Sequence, residues 1–211
     1  MRTLKEIYDE ISPPEVARHP EKAYRLSLKR VNGKIIGYTD KNGIHSYIDN
    51  LYTSLFERKR FTAEKVLEIG IWTGGSLVVW RDYFQKARIY GIDTDSPPIM
   101  ELISEDRITQ ITADAYSDYV VNSFQKEFDI IIDDGPHTLE SMIDCVVKYL
   151  PKLKSDGIMV IEDLKDLSWG DTLMQYVPAE YRRFVSLHDF RYAKNLSDDI
   201  AFVINLEKAN K

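Results

Sequence analysis

The feature that most limits how this chain can fold is a set of five short apolar runs, each closed by glycine or an acid. They are KVLEIG (65–70), RIYGID (88–93), RITQITAD (107–114), FDIIIDD (128–134) and GIMVIED (157–163). Four are almost continuously apolar, the pattern of strands buried on both faces of a parallel sheet. The stretches between them, near 75–86, 97–105, 116–124 and 138–151, are long enough for crossover helices. The alternation predicts an α/β, Rossmann-like, doubly wound sheet with helices on both faces. The tail breaks the rhythm. RRFVSLHDFRY and DIAFVINL are joined by AKNLS, too short for a helical crossover, so these strands are expected to pair antiparallel.

The region before residue 60 has a different texture. Pro13-Pro14 and His19-Pro20 break the first twenty residues into short helix and turns. Arg18, Lys22, Arg25, Lys29, Arg30 and Lys34 make the next stretch basic, and VNGKIIGYTDKNG, with Asn-Gly at both ends, reads as a hairpin or loop. Ile44, Tyr47, Ile48, Leu51, Tyr52, Leu55 and Phe56 recur at helical spacing and predict an amphipathic helix. Arg58, Lys59 and Arg60 follow where a helix dipole favours cations. Its apolar stripe can either pack on the core or form the face of a homodimer or higher homo-oligomer. With 211 residues, one compact unit is expected: a helical or lid-like appendage at 1–60 and the main domain at 61–211.

Composition narrows the setting. A single cysteine, Cys145, excludes an internal disulfide framework and a cysteine zinc site. Mid-helix among apolar residues, it reads as a small buried hydrophobe. No run approaches the roughly 20 apolar residues of a membrane span. The charged start MRTLKEIYDE lacks the apolar segment of a signal peptide. A cytoplasmic protein with no membrane partner is expected. The net charge of −6 argues against general nucleic-acid binding, which favours a basic patch. The charge is also uneven: residues 91–171 hold 6 bases and 18 acids, a net of −12. Acidity therefore gathers where the predicted strands end.

Ligands of an open α/β sheet sit outside the carboxyl ends of its strands. The first run opens into Glu68-Ile69-Gly70-Ile71-Trp72-Thr73-Gly74-Gly75-Ser76. Gly70 and Gly74 allow a tight turn and close backbone approach, and a helix starting near Gly75-Ser76 would aim its positive end at the turn. The turn is neither G-x-G-x-x-G nor a P-loop. Asp93 closes the second run, 23 residues after Gly70, where an acid can accept hydrogen bonds from a ribose diol. Asp114, in Ala113-Asp114-Ala115, closes the third and is placed for an adenine amine. Trp72 can stack on an adenosine or pack in the core.

These features in order, E-x-G-x-x-x-G, GID, AD and FDIIIDD with a final antiparallel strand, resemble the class I S-adenosylmethionine-dependent methyltransferases over about residues 65–206. The resemblance implies a seven-stranded, mostly parallel sheet of order 3-2-1-4-5-7-6 with the last strand reversed. It implies that Gly70 faces the methionine part, Asp93 the ribose and Asp114 the adenine. Glu68, Trp72, Gly74, Ser76, Ala115 and Asp133 would complete the cofactor rim.

In that fold the fourth and fifth strands are neighbours, so Asp133-Asp134-Gly135-Pro136-His137 and Glu162-Asp163 converge. Like charges so close raise a pKa or demand a cation. Carboxylates without cysteine suit Mg²⁺, Mn²⁺ or Ca²⁺. His137, three residues beyond Asp134, has the side chain most suited to general-base work near neutral pH. His19 and His188 read as structural, and His45 can cap its helix or reach the site. LEIGIWTGGSL, WRDYF, IIDDGPH and VIEDL, preceded by YTDKNGIHSYIDNLY, resemble the metal-dependent sugar O-methyltransferases of macrolide biosynthesis, the macrocin and mycinamicin type. That resemblance implies Mg²⁺ (or Mn²⁺) on Asp134, Glu162 and Asp163, His137 as general base, and a sugar-containing acceptor, a glycan or glycoside. One position departs: Pro136 stands where the family usually has Ser, which removes a backbone donor and stiffens the turn. Tyr38, Asp40, Lys41, His45 and Tyr47 can line the cofactor pocket as a lid or lie in a surface loop, and Trp169 can floor an acceptor pocket. Two other readings stay open. One is a catechol-type small-molecule O-methyltransferase, although that group uses Lys at the position of His137. The other is a non-catalytic module that only binds S-adenosylmethionine.

Overall fold

The computed structural model describes residues 1–12, 29–31, 34–95, 107–125 and 127–207, with backbone alone for 29–31 and 34–36. The Pro-broken stretch at 13–20, most of the basic stretch and the expected crossover at 97–105 lie outside the described residues.

Seven strands form the central sheet. They are β3 (Lys65–Ile69), β4 (Arg88–Asp93), β5 (Ile108–Thr112), β6 (Phe128–Asp133), β7 (Leu153–Ile161), β8 (Val185–Asp189) and β9 (Ile200–Asn205). Their order is β5-β4-β3-β6-β7-β9-β8. The first five are mutually parallel, and β9 runs antiparallel to both of its neighbours. This is the expected 3-2-1-4-5-7-6 arrangement of the class I methyltransferase fold. A separate antiparallel pair, β1 (Lys29–Val31) with β2 (Lys34–Ile36), lies where a hairpin or loop was expected; Asn32-Gly33 between them lies outside the described residues.

Sheet alternation divides the core in two. Ile130 and Ile132 of β6 share one buried cluster with Val66, Ile89, Val160 and Val203. Ile131 belongs to the other, with Leu67, Met159 and Phe202. Both faces are covered because successive side chains point to opposite sides, and β6 is buried throughout. The second face is closed by α4 (Asp118–Ser123), α5 (Leu139–Tyr149) and α6 (Leu167–Tyr176). Cys145 on α5 is buried as a free thiol. Side-chain oxygens start these helices: Ser117 accepts from Val120 N at 3.4 Å and Thr138 from Ser141 N at 3.1 Å. Such caps satisfy amides that the first turn leaves unpaired.

The first face is closed by α1 (Leu4–Ile11), α2 (Ile48–Tyr52 running into Thr53–Leu55) and α3 (Gly75–Tyr83). The helix expected over 44–59 is shorter. α2 is a wide π turn, Ile48–Tyr52, running into Thr53–Leu55. The wider turn buries Tyr47, Ile48, Leu51 and Tyr52 together, and Thr53 Oγ1 donates to the Ile48 carbonyl at 2.6 Å. The apolar stripe thus packs on the core. Ahead of it, residues 38–47 run as a strap across the carboxyl ends of the strands. A short α7 (Arg191–Lys194) fills the β8–β9 connection. No helix among the described residues is long and apolar enough to cross a membrane.

Candidate active site

The carboxyl ends of β3, β4, β5 and β6 border a cavity of about 460 Å³, within the range that small-molecule ligands occupy. Its walls include Gly70, Trp72, Ser76, Asp93, Asp114, Ala115, Asp134 and His137. Six of the nine residues expected to bind a cofactor therefore meet at one cavity. Glu68, Gly74 and Asp133 are not in its wall and act from behind it.

Gly70 is dictated by close approach. Its φ is +77°, and a Cβ there would run into the Asp134 carbonyl, 2.5 Å from its carbon, and lie 2.7 Å from Gly135 Cα. Glycine lets the end of β6 lie directly on the turn after β3. Gly74 caps α3 with φ +81°, so the first amides of that helix are directed toward the turn. Asp93 holds the turn: its Oδ2 accepts from Ile71 N at 2.9 Å and Trp72 N at 3.0 Å. Trp72 has φ +41°, is 42% exposed and meets the Tyr38 ring edge-on at 4.9 Å. It is a cavity-wall residue and does not pack in the core. Asp114 Oδ1 accepts from Tyr116 N at 2.9 Å.

Glu68 is fully buried behind the turn, where its Oε2 accepts from Ser76 Oγ at 2.6 Å and Trp80 Nε1 at 3.1 Å. Asp133 is buried too, and Tyr116 Oη donates to its Oδ1 at 2.6 Å. Burial pushes the Asp133 carboxyl up to about 6, against the opposing effect of the tyrosine hydrogen bond.

The acids beyond the cavity converge as expected, but not as one equivalent set. Asp134, His137 and Asp163 each offer a ligand atom within 4.8 Å of the others. His137 Nε2 stands 3.7 Å from Asp134 Oδ1, and its Nδ1 stands 3.9 Å from Asp163 Oδ2. Burial pushes both Asp134 and Asp163 up to about 6. Three of the four described non-glycine residues with positive φ are Trp72, His137 (φ +51°) and Asp163 (φ +59°). Such conformations persist where surrounding structure over-determines them, and they cluster at functional sites.

Glu162 takes a different partner. Its carboxylate accepts from Lys41 Nζ at 2.9 and 2.8 Å and from the Tyr52 hydroxyl. Lys41 is only 1% exposed and also reaches Asp134 Oδ2 at 2.7 Å and Glu68 Oε1 at 3.1 Å. Burial alone would favour the neutral amine, but the charges of Asp134, Glu162 and Glu68 hold the ammonium well above the usual lysine range. The rest of the strap serves Asp163. Tyr47 Oη donates to its Oδ1 at 2.7 Å, and His45 Nδ1 lies 3.3 Å from the same oxygen. Burial would lower the His45 pKa, but neighbouring Asp199 and Asp163 raise it to about 9. Tyr38, Thr39 and Asp40 line the cavity, and Lys41, His45 and Tyr47 place donors on the acidic rim.

Tyr116 and Tyr52 join the site without a motif of their own in the sequence. Tyr116 sits two residues after Asp114, and position beside an expected site acid was its only signal. Tyr52 was legible solely as part of an apolar stripe. Trp169 packs against the second core cluster, its ring 6.0 Å from Lys165 Nζ, and is not in the cavity wall.

The architecture is that of the class I methyltransferase fold, and residues 67–164, a little under half of the chain, match the family model of a methyltransferase domain. Among curated relatives, it is 33% identical over 141 residues to demethylmacrocin O-methyltransferase of Streptomyces fradiae, covering 62% of this chain and 35% of that protein. It is 30% identical over 174 residues to a rhamnosyl-tetracenomycin-C 3′-O-methyltransferase of Streptomyces olivaceus, covering 78% of this chain and 43% of that protein. The chain therefore spans less than half the length of these relatives. Among solved structures, it resembles a methyltransferase of mycinamycin biosynthesis in complex with Mg, SAH and mycinamycin VI. That match has TM-score 0.60 and 25% identity, over 77% of this chain and 49% of the other.

Proposed function

We propose that this protein is an S-adenosylmethionine- and divalent-metal-dependent O-methyltransferase acting on a sugar hydroxyl of a glycan or glycosylated small molecule. The observation that carries it is His137 at the cavity rim, with Asp134 and Asp163 on either side. The relatives named as sugar O-methyltransferases, and the solved one holding Mg and SAH, support the same reading.

The residues present fit both groups. The cavity is large enough for a nucleoside-sized cofactor, and Gly70 leaves a cradle that a Cβ would fill. Asp114 and Asp93 stand at its wall as acceptors for an adenine amine and a ribose diol; Asp114 Oδ1 already accepts from Tyr116 N, and Asp93 accepts from Ile71 N and Trp72 N at Oδ2 and from Asp95 N at Oδ1. Asp134 and Asp163 offer hard carboxylate oxygens, with Glu162 beside them against Lys41 and His137 within reach as base. When bound, the cofactor supplies an electrophilic methyl and the cation supplies Lewis acidity toward an acceptor hydroxyl. His137 takes the hydroxyl proton as the oxygen attacks. Trp72 and Tyr38 shield the transfer from water, and the 38–47 strap serves as the lid. A cytoplasmic setting belongs to the same proposal, and the apolar helical stripe is left to core packing.

The test is methylation of a glycoside acceptor by His137→Ala and Asp134→Ala. Removal of a general base lowers turnover by about 10²–10⁴-fold. Near-wild-type turnover in both variants refutes the assigned roles, and chelator-insensitive activity removes the cation.

A further inference from the structure

Helix α5 begins beside His137, whose neighbour Thr138 caps it. Its last turn reaches the opposite wall of the cavity, the turn after β5 that carries Asp114. Tyr149 Oη donates to the Ala115 carbonyl at 2.5 Å, and Lys148 Nζ donates to the Tyr116 carbonyl at 2.7 Å. Tyr149 and Ala115 are both buried, so this carbonyl depends on the hydroxyl for its partner. Lys148 is braced one turn back by Asp144 Oδ2 at 3.1 Å. A lysine in the last turn is favoured by the helix dipole alone, but that effect needs no partner on another element, and Lys148 has one.

The two carbonyls belong to successive peptide units, and each unit is a rigid plane that also carries the next residue's N–H. Both of those N–H groups go to Asp114. Tyr116 N donates to its Oδ1 at 2.9 Å, and Ser117 N donates to its carbonyl at 3.2 Å. Gripping the carbonyl end of each unit therefore orients the amide that holds Asp114, and it also polarises that amide into a better donor. Tyr116 is tied at a third point, where its Oη donates to Asp133 Oδ1 at 2.6 Å. Gly135 leaves room for that contact, since a Cβ there would stand 2.9 Å from Tyr116 Oη. Asp114, Ala115 and Tyr116 all line the cavity. Resting on the cofactor reading above, we propose that Lys148 and Tyr149 are positioning residues for Asp114. Through the two peptide planes they set its carboxylate at the angle that selects the 6-amino group of a bound adenine nucleoside. The helix that carries them starts at the base, so α5 also registers the adenine end of the cavity against His137.

The experiment is a calorimetric titration of the full chain with S-adenosylhomocysteine and with S-inosylhomocysteine, which carries a carbonyl in place of the 6-amino group. The unaltered protein is expected to favour S-adenosylhomocysteine by at least about tenfold, as for a hydrogen bond to a charged group. Tyr149→Phe and Lys148→Met should each weaken S-adenosylhomocysteine by about three- to tenfold and leave S-inosylhomocysteine within about twofold, so that the preference narrows. A merely structural role would lower both affinities alike. Val177→Ala, which loses buried packing just past α6, supplies that comparison: its melting temperature should fall with the preference intact, and a narrowed preference there too overturns the specific role. If a variant at Lys148 or Tyr149 keeps the full preference, that residue's role is overturned and the cofactor reading stands. An unaltered protein that binds both nucleosides equally overturns both roles, since Asp114 then selects nothing. If it binds neither, the cofactor reading falls and the proposal with it. Should circular dichroism show both variants unfolded, hydrogen exchange of the unaltered protein decides. S-adenosylhomocysteine is then expected to slow exchange at residues 146–149 as well as at 114–117, and protection confined to 114–117 overturns the proposal.

Discussion

Replacing Gly70 by alanine isolates the close approach on which the site is built. The added Cβ would lie 2.5 Å from the carbonyl carbon of Asp134 and 2.7 Å from Gly135 Cα. Carbon atoms in favourable contact stand about 3.5–4.0 Å apart, so the end of β6 must retreat by roughly 1 Å. The obstacle is backbone on both sides, with no flexible side chain to swing away. The residue must in addition keep φ near +77°, which costs a residue with a Cβ about 1–2 kcal/mol. Together these make a loss of at least about 2 kcal/mol, equivalent to a fall in Tm of about 4–8 °C for a domain of this size. The larger effect is expected in catalysis. Asp134 and, through the same turn, His137 would be displaced, and about 1 Å of misplacement can cost 10²-fold. The assay pairs thermal denaturation with single-turnover methylation at saturating S-adenosylmethionine. A Gly70→Ala protein with unchanged Tm and turnover within about threefold of wild type would show that β6 does not need this contact, refuting the reasoning.

Two further outcomes follow from the rim's electrostatics and hydrogen bonds. His45, raised to about 9 beside Asp199 and Asp163, stabilises the fold fully below its unfolded value near 6.5. That contribution is lost as pH rises through 9 and amounts to about 3 kcal/mol at most. His45→Gln should therefore lower Tm at pH 6 and flatten its decline between pH 6.5 and 9, and an equally steep decline in the variant would refute the assignment. Tyr116→Phe removes the donor to Oδ1 of buried Asp133. A loss of about 1.5–3 kcal/mol is expected by chemical denaturation, as for a hydrogen bond to a charged group, and a variant as stable as wild type would refute this role of Tyr116.

The strands were legible because burial on both faces keeps most of β3, β4, β6 and the second half of β7 apolar, with Glu68 and Asp129 as buried exceptions. The acids at those ends were legible for the same reason, since polarity returns where the sheet meets solvent. Helix α2 was misjudged in length. The apolar spacing of 44–56 does suit a helix, but the demands of His45 and Tyr47 on Asp163 and the wide turn at Ile48–Tyr52 are tertiary. Glu162 shows the same limit from the other side. Its neighbour Asp163 turns toward His137 while Glu162 turns toward Lys41, 121 residues away in the chain.

The sequence by itself thus determined the α/β class, the reversed last strand, the glycine turn and the gathering of acids at one rim. Each follows from local periodicity, from loop length or from the type of residue that ends a buried strand. Only the tertiary structure decided how the acids divide between an internal lysine and the side open to a metal and a base. That division depends on where the 38–47 strap crosses the sheet. Its position is set by backbone pinning at Thr39, Tyr38 and Gly75 and by buried charges that must be neutralised, and neither leaves a periodic trace in the chain.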